Sequence, residues 1–235
     1  SLYVNEWYQP SEPGPGSNSK YYYGEGGIRY TGLHTIEGKQ YYFSEWGWLY
    51  TNKNVTAEDG KHYYCDSDGV ATELPENGWV EISGDRFYVK DGEILKGCIE
   101  KIGDSYYAFN WDGGLYPEGV FTIWNSETAE FDNCCAKADG SLYVNEWYIY
   151  DEANKKYYGA DTKEYIGLHT IEGNQYYFDE WGWLCRNQMI KAEDGKNYHC
   201  DADGIATELP ENGWTEIDGN RFYIKDGEIL KDCVE

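Results

Sequence analysis

The sequence predicts an all-β fold, a solenoid of stacked β-hairpin repeats of about 20–25 residues. Three observations predict it. A hairpin signature, Gly-Leu-His-Thr-Ile-Glu-Gly-Lys-Gln-Tyr-Tyr-Phe, occupies Gly32–Phe43 and returns nearly unchanged at Gly167–Phe178; a variant at Gly78–Val89 returns at Gly213–Ile224. The 235 residues hold 25 Tyr, 10 Trp and 28 Gly, which suits short strands and turns with half-exposed aromatic faces, because Tyr and Trp keep a polar tip. No segment of about ten residues or more places its apolar side chains at helical spacing.

Repetition occurs on two scales. On the longer one, Ser1–Tyr8 matches Ser141–Tyr148 letter for letter. Gly32–Glu100 aligned with Gly167–Glu235 differs at 18 of 69 positions, leaving 51 identical. The offset falls from 140 to 135 between these blocks, so the first copy carries five extra residues. They belong to Pro10–Ser17, a Pro- and Gly-rich stretch expected to be a flexible surface loop. The chain therefore divides into residues 1–100 as a first block of hairpin repeats, 101–140 as divergent connecting repeats, and 141–235 as a second block duplicating the first. All three are expected to form one continuous solenoid.

On the shorter scale each repeat is one hairpin. Ser83-Gly84 is a two-residue turn in which Gly supplies positive φ. Ile82 then faces Asp85, Glu81 faces Arg86, Val80 faces Phe87 and Trp79 faces Tyr88. Alternation puts Val80, Ile82, Phe87 and Val89 on a core face and Trp79, Glu81, Arg86 and Tyr88 on the other. The second copy places Trp214, Glu216, Arg221 and Tyr223 likewise. In the same register Glu37-Gly38 turns Leu33–Ile36 onto Lys39–Phe43, and Asp59-Gly60 turns Val55–Glu58 onto Lys61–Cys65. About ten such units fit, and each must bury its apolar face on a neighbour, because an isolated two-stranded hairpin is marginal in water.

Charge and cysteine content bound the partners. A formal net charge of −24 disfavours nucleic acid and anionic membrane surfaces and keeps an aromatic-rich surface soluble. There is no apolar run of the roughly 18 residues needed to insert in a membrane. The start, Ser1-Leu2-Tyr3-Val4, does not read as a signal peptide, and its lack of Met suggests a mature product or a fragment. Seven cysteines at spacings that form no zinc motif read chiefly as buried apolar thiols; Cys65 and Cys200 occupy the position that Phe43 and Phe178 fill in other repeats. Disulfides are the alternative in a chain that reads as extracellular.

Gly213-Trp214-Thr215-Glu216-Ile217-Asp218-Gly219-Asn220-Arg221-Phe222-Tyr223-Ile224 resembles the motif Gly-Trp-x-x-Ile-Asp-Gly-Lys-x-Tyr-Tyr-Phe followed by Asp-x-Asp-Gly, which the cell-wall-binding repeats of Gram-positive surface proteins share. These include choline-binding repeats, the glucan-binding repeats of glucosyltransferases and the repetitive region of large clostridial toxins. Gly167–Phe178 is most similar to the last two types. The segments around Tyr21–Tyr30, Phe121–Cys135 and Tyr148–Tyr165 fit the motif poorly. The resemblance implies an extracellular β-hairpin solenoid that binds sugars or choline and has no catalysis of its own. In the choline-binding type a cage of three aromatics holds the ammonium. Here Gln40, His62, Arg86, Gln175, Asn197 and Arg221 stand where that cage needs its middle Trp, which favours a sugar over choline.

Two constellations are candidate ligand sites. Trp79, Glu81, Arg86 and Tyr88, with Trp214, Glu216, Arg221 and Tyr223, combine an aromatic platform with a charged hydrogen-bonding pair, as a pyranose requires. The same four side chains also suit a purely structural cross-strand pairing. Glu-Trp-Gly-Trp at Glu45–Trp48 and Glu180–Trp183 brings Trp46 and Trp48, and Trp181 and Trp183, around a Gly; they either form a cleft or stack one hairpin on the next. Asp66-Ser67-Asp68-Gly69 and Asp201-Ala202-Asp203-Gly204 are half of a calcium loop, lack its first Asp, and read as connecting turns. No metal site or cofactor is expected. His34, His62, His169 and His199 read as surface or packing residues, and no nucleophile motif or phosphate loop is present.

The chain is thus expected to be a non-catalytic carbohydrate- or cell-wall-binding repeat module of a secreted or surface protein, fused to a further domain. Its partner would be a glycan or cell-wall polymer. The alternative is a protein-binding adhesin or structural spacer contacting a host protein.

Overall fold

Two-residue turns set the local geometry. In the computed structural model, which describes residues 3–10, 20–217 and 219–230, Ser83 and Gly84 have φ of 55° and 93°. This pair of positive angles matches the right-handed twist of the strands it joins. Residues 11–17 of the expected surface loop, and Cys233, lie outside the described residues.

Ten small antiparallel sheets result among the described residues. β1 (Glu6–Tyr8) pairs with β2 (Tyr21–Tyr23), and β3 (Gly32–Ile36) with β4 (Lys39–Phe43). β5 (Lys53–Thr56), β6 (His62–Cys65) and β7 (Ala71–Glu73) form three strands, as do β8 (Gly78–Ile82), β9 (Asp85–Lys90) and β10 (Glu93–Ile94). β11 (Cys98–Ile102) pairs with β12 (Ser105–Phe109), β13 (Gly119–Asn125) with β14 (Glu130–Ala136), β15 (Glu146–Ile149) with β16 (Lys155–Tyr158), and β17 (Gly167–Ile171) with β18 (Asn174–Phe178). Two further three-stranded sheets follow: β19 (Gln188–Lys191), β20 (Asn197–Cys200) and β21 (Ala206–Glu208), then β22 (Gly213–Ile217), β23 (Asn220–Lys225) and β24 (Glu228–Ile229). The segments that fit the motif poorly are hairpins too. The fold is a β-hairpin repeat solenoid. Its helical content among the described residues is one 3-10 turn at Glu25–Gly27, and no helix there is long and apolar enough to cross a membrane.

The chain forms two compact units, Ser1–Glu100 with Tyr107–Tyr116, and Lys101–Tyr106 with Pro117–Glu235. Within each, the same position of the repeat is sealed. The last inward-facing residue of the second strand is at most 1% exposed: Phe43, Cys65, Val89 and Phe109 in the first unit, Phe178, Cys200 and Ile224 in the second. Cys and Phe alternate there because both are apolar when buried, as the sequence indicated for Cys65 and Cys200. Backbone bonds tie neighbours together: the Leu49 amide donates to the Lys20 carbonyl at 2.9 Å, and the Leu184 amide to the Lys155 carbonyl at 2.9 Å.

The predicted pairing holds in the hairpin of β8 and β9, where Trp79 faces Tyr88, Val80 faces Phe87, Glu81 faces Arg86 and Ile82 faces Asp85. The core face is the expected one: Ile82, Phe87 and Val89 pack with Tyr64, Leu74 and Ile94, and Val80 joins them. At Asp59-Gly60 the register differs by one. Val55 faces Tyr63 and Thr56 faces His62. The Gly60 amide donates to the Ala57 carbonyl at 2.9 Å and the Ala57 amide to the Lys61 carbonyl at 2.9 Å. Only Gly60 of the pair has positive φ. This is a three-residue loop closed by a bulge, not a two-residue turn. The slip decides which side chains are covered: Val55 and Tyr63 enter one core cluster with Cys65 and Ala71.

A second kind of turn recurs after five of the hairpins. Ser44, Asp66, Asn110, Asp179 and Asp201 each accept, through a side-chain oxygen, the backbone N–H groups two and four residues on, at 2.8–3.3 Å. Gly69 closes one such turn at φ 84°, and a Cβ there would lie 2.6 Å from the side chain of buried Leu49. Gly84→Ala meets no neighbour and should cost about 1–2 kcal/mol from its backbone angle alone. Gly69→Ala should cost about 1–3 kcal/mol more, from overpacking. Equal urea midpoints for the two variants would contradict this account.

Candidate aromatic binding sites

Trp79 is not a bare platform. Its ring meets Tyr88, across the hairpin, edge-on at 5.2 Å and 78°, and meets Tyr107 of the next hairpin at 4.9 Å and 74°. Phe109 lies behind at 6.1 Å. The Arg86 guanidinium sits 4.2 Å from the Trp79 ring centroid, as a cation–π contact, while Glu81 faces Arg86 in register and stays exposed. In the second copy Trp214 meets Tyr223 at 5.3 Å and 79°, Arg221 lies 5.0 Å from the Trp214 ring, and Glu216 faces Arg221. Trp214 is 63% exposed, whereas Trp79 is half-buried beneath Tyr107.

The same Trp–Tyr–Tyr–Phe arrangement occurs twice more. Trp7 meets Tyr22 at 5.2 Å, Tyr41 at 5.0 Å and Phe43 at 5.9 Å. Trp147 meets Tyr157 at 5.1 Å, Tyr176 at 5.2 Å and Phe178 at 5.9 Å. The repeat motif alone does not connect Trp7 and Trp147 to these tyrosines. The signal was present in the near-equal spacing of Trp79, Tyr88 and Tyr107 and of Trp147, Tyr157 and Tyr176. In the Trp7 and Trp147 clusters a histidine lines the floor: Tyr30 stacks on His34 at 3.9 Å and Tyr165 on His169 at 3.8 Å. Each imidazole Nε2 is 2.9 Å from a backbone carbonyl, of Thr31 or Ile166, which fits the packing role read from the sequence.

The two Trp of each Glu-Trp-Gly-Trp segment part company. Trp46 and Trp181 point outward, 69% and 64% exposed. Trp48 lies 4.0 Å from the Tyr21 ring, and the Trp183 ring lies 4.7 Å from the Lys156 ammonium, so both cover the preceding hairpin. The copies differ beneath these rings. In the first unit the Arg29 guanidinium is 4.1 Å from the Tyr21 ring, and its Nε donates to the Tyr23 hydroxyl at 3.0 Å. In the second, Lys156 and Glu164 form a buried ion pair at 2.5 Å. Lys156 Nζ also donates to the Trp181 carbonyl, and Asn133 Nδ2 donates to Glu164 Oε1 at 2.6 Å.

The Asp-x-Asp-Gly loops are turns. Asp66 Oδ1 is used by the amides of Asp68 and Val70, and its Oδ2 accepts from the Ser83 hydroxyl at 2.9 Å. Among the described residues no three His, Cys, Asp or Glu side chains gather to hold a metal.

Hairpins stacked through a sealed strand end and a Trp–Tyr–Tyr cluster define the class, a β-hairpin repeat solenoid, and the chain is similar in sequence and fold to proteins that carry cell-wall-binding repeats. No protein-family model matches the chain. It is 27% identical over 215 residues to Glucosyltransferase-S of Streptococcus downei (87% of this chain, 15% of that protein). It is 29% identical over 211 residues to Glucosyltransferase-I of the same organism (88% and 12%). The chain thus spans well under a fifth of the curated relatives it matches. Its fold is similar to that of choline binding protein F from Streptococcus pneumoniae, with a TM-score of 0.56 at 16% identity over 90% of this chain and 83% of that one. The choline-binding domain of CbpL from Streptococcus pneumoniae gives 0.50 at 22%, over 88% of this chain and 100% of that one.

Two expectations follow. Removing one partner of a buried ion pair strands the other, so Glu164→Ala should lower stability by about 3 kcal/mol or more, and Arg29→Ala, at an exposed cation–π contact, by about 1. Chemical denaturation of both variants checks the order. Burial also pushes the Cys65 and Cys200 thiols up to about 12. In the unfolded chain they ionise near the ordinary thiol value of 9.0, so stability should fall as pH rises from about 9 towards 12. A Cys65→Ala/Cys200→Ala variant should show a shallower alkaline decline in Tm; an unchanged slope would exclude these thiols as its source.

Proposed function

We propose that the chain is a non-catalytic carbohydrate- or cell-wall-binding module of a secreted or surface protein, attached to a further domain. One observation carries the reading: the Trp7, Trp79 and Trp147 clusters place half-exposed aromatic rings at a hairpin junction three times in one chain. Stacked aromatic edges suit the C–H face of a pyranose. Shallow repeated sites bind weakly one by one and gain through avidity. The matched glucosyltransferases, of which the chain spans a small part, support the attachment to other domains. The four residues of the Trp79 site keep their assigned role in revised form: Trp79 and Tyr88 supply apolar surface, while Arg86, held on the Trp79 face, and Glu81 at the rim supply hydrogen bonds. Trp214, Tyr223, Arg221 and Glu216 present the same groups with the Trp face more open. The outward Trp46 and Trp181 are accessory contacts.

Retention on insoluble α-glucan or peptidoglycan should fall about tenfold when Trp79 and Trp147 are both replaced by Ala, a loss of about 1.4 kcal/mol. If the unaltered chain binds no polysaccharide and no wall fraction, the reading is wrong. A host-protein adhesin would instead leave the Trp fluorescence unchanged by any oligosaccharide.

A further inference from the structure

One buried cluster of the second unit holds groups that can react with each other. Lys156 and Glu164 pair at 2.5 Å, with side chains only 8% and 5% exposed. Glu164 uses both carboxylate oxygens: Oε2 accepts from Lys156 Nζ, and Oε1 accepts from the Asn133 side-chain amide at 2.6 Å. A single carboxylate therefore holds an amine and a carboxamide side by side. The groups come from two hairpins. Asn133 lies on β14, Lys156 on β16, and Glu164 bridges to Tyr158 at the end of β16. The Glu164 amide donates to the Asn133 carbonyl at 3.2 Å, which fixes the two segments to each other at this point. The Trp183 ring, 4.7 Å from the Lys156 ammonium, and the Trp181 carbonyl, which accepts from Nζ, close over the amine.

The hairpin stack does not require this cluster. The bridge between Tyr158 and Glu164 has its copy in the bridge between Tyr23 and Arg29. In that register the first copy carries Tyr21 for Lys156 and Arg29 for Glu164. A buried ion pair gains little over other packing, because both charges give up their water. Amine, carboxylate and carboxamide kept together out of water, where the other copy does without them, point to a use beyond packing. Groups fixed in contact reach effective molarities of about 10⁵–10⁸ M, which brings an ordinarily inert carboxamide within reach of an amine.

We propose that Lys156 and Asn133 form an intramolecular isopeptide bond, with Glu164 as the catalytic residue. Glu164 Oε2 takes a proton from the Lys156 ammonium, and the freed Nζ attacks Asn133 Cγ. The Nζ–Cγ bond forms, a second Nζ proton passes through the carboxyl group to Nδ2, and the Cγ–Nδ2 bond breaks. The departing ammonia takes the proton that Glu164 still holds and leaves as ammonium, which restores the carboxylate. The balance needs no further reactant. Exclusion of water by the Trp183 ring favours attack by the amine over hydrolysis of the amide. The product ties β14 to β16 covalently.

Mass spectrometry of the full folded chain tests the bond. The unaltered chain should be lighter than its sequence mass by one ammonia, and trypsin should release residues 102–137 joined to residues 156–163. Chain isolated from inclusion bodies in urea should keep its full mass until it is refolded. Lys156→Arg and Asn133→Ala should keep their full mass after folding, and Glu164→Gln should form the branched peptide about 100-fold more slowly or worse. Full sequence mass in the folded unaltered chain overturns the proposal. Loss of ammonia without the branched peptide, the mark of a cyclic imide at Asn133, overturns it too. Branching at an unchanged rate in Glu164→Gln overturns the role of Glu164. Should the variants fail to fold, the mass and the tryptic map of the unaltered chain before and after refolding decide alone.

Discussion

Everything in this molecule depends on sealing an inward-facing residue at or next to the end of the second strand between neighbouring hairpins. A two-stranded hairpin has too little apolar surface to persist alone in water. Phe43, Phe109 and Phe178 become fully buried only because a neighbour closes over them, and each such burial contributes about 1.5–3 kcal/mol. Cys65 and Cys200 occupy the same slot, which puts thiols inside a chain whose remaining surface is strongly acidic. Stability is a property of neighbours in the stack, as in other repeat proteins.

The aromatic clusters are a by-product of that stacking. The Trp of one hairpin is flanked by its cross-strand Tyr and by a Tyr of the next, so the junction that seals the core also assembles a row of rings at the surface. Where the first strand carries Leu33 or Leu168 in place of Trp, those side chains pack against the next core cluster. One junction thus either closes as core or leaves a row of rings at the surface, according to one side chain.

Duplication left room for divergence away from the sealed positions. The Tyr21–Arg29 contact of the first unit and the buried Lys156–Glu164 pair of the second occupy corresponding places under Trp48 and Trp183. Both give the covering indole a cation or an aromatic ring beneath it, which is what a Trp face needs. Their energetics differ because the second pair is withdrawn from water.

The sequence by itself determined the hairpin repeat, the two-residue turn at Ser83-Gly84, the pairing of Trp79 with Tyr88 and the core face of Val80, Ile82, Phe87 and Val89. These follow from contacts local in the chain: a turn dipeptide with positive φ sets the register, and alternation then assigns faces. Tertiary structure decided the rest. The bulged turn at Ala57–Lys61 slipped its register because Val55 and Tyr63 had to meet a core made by neighbouring strands. Trp7 and Trp147 joined surface aromatic clusters, and Trp48 and Trp183 became covers, through residues of other hairpins. Which face of an aromatic ring stays open depends on the hairpin stacked against it, and no repeat encodes its neighbour's position in its own spacing.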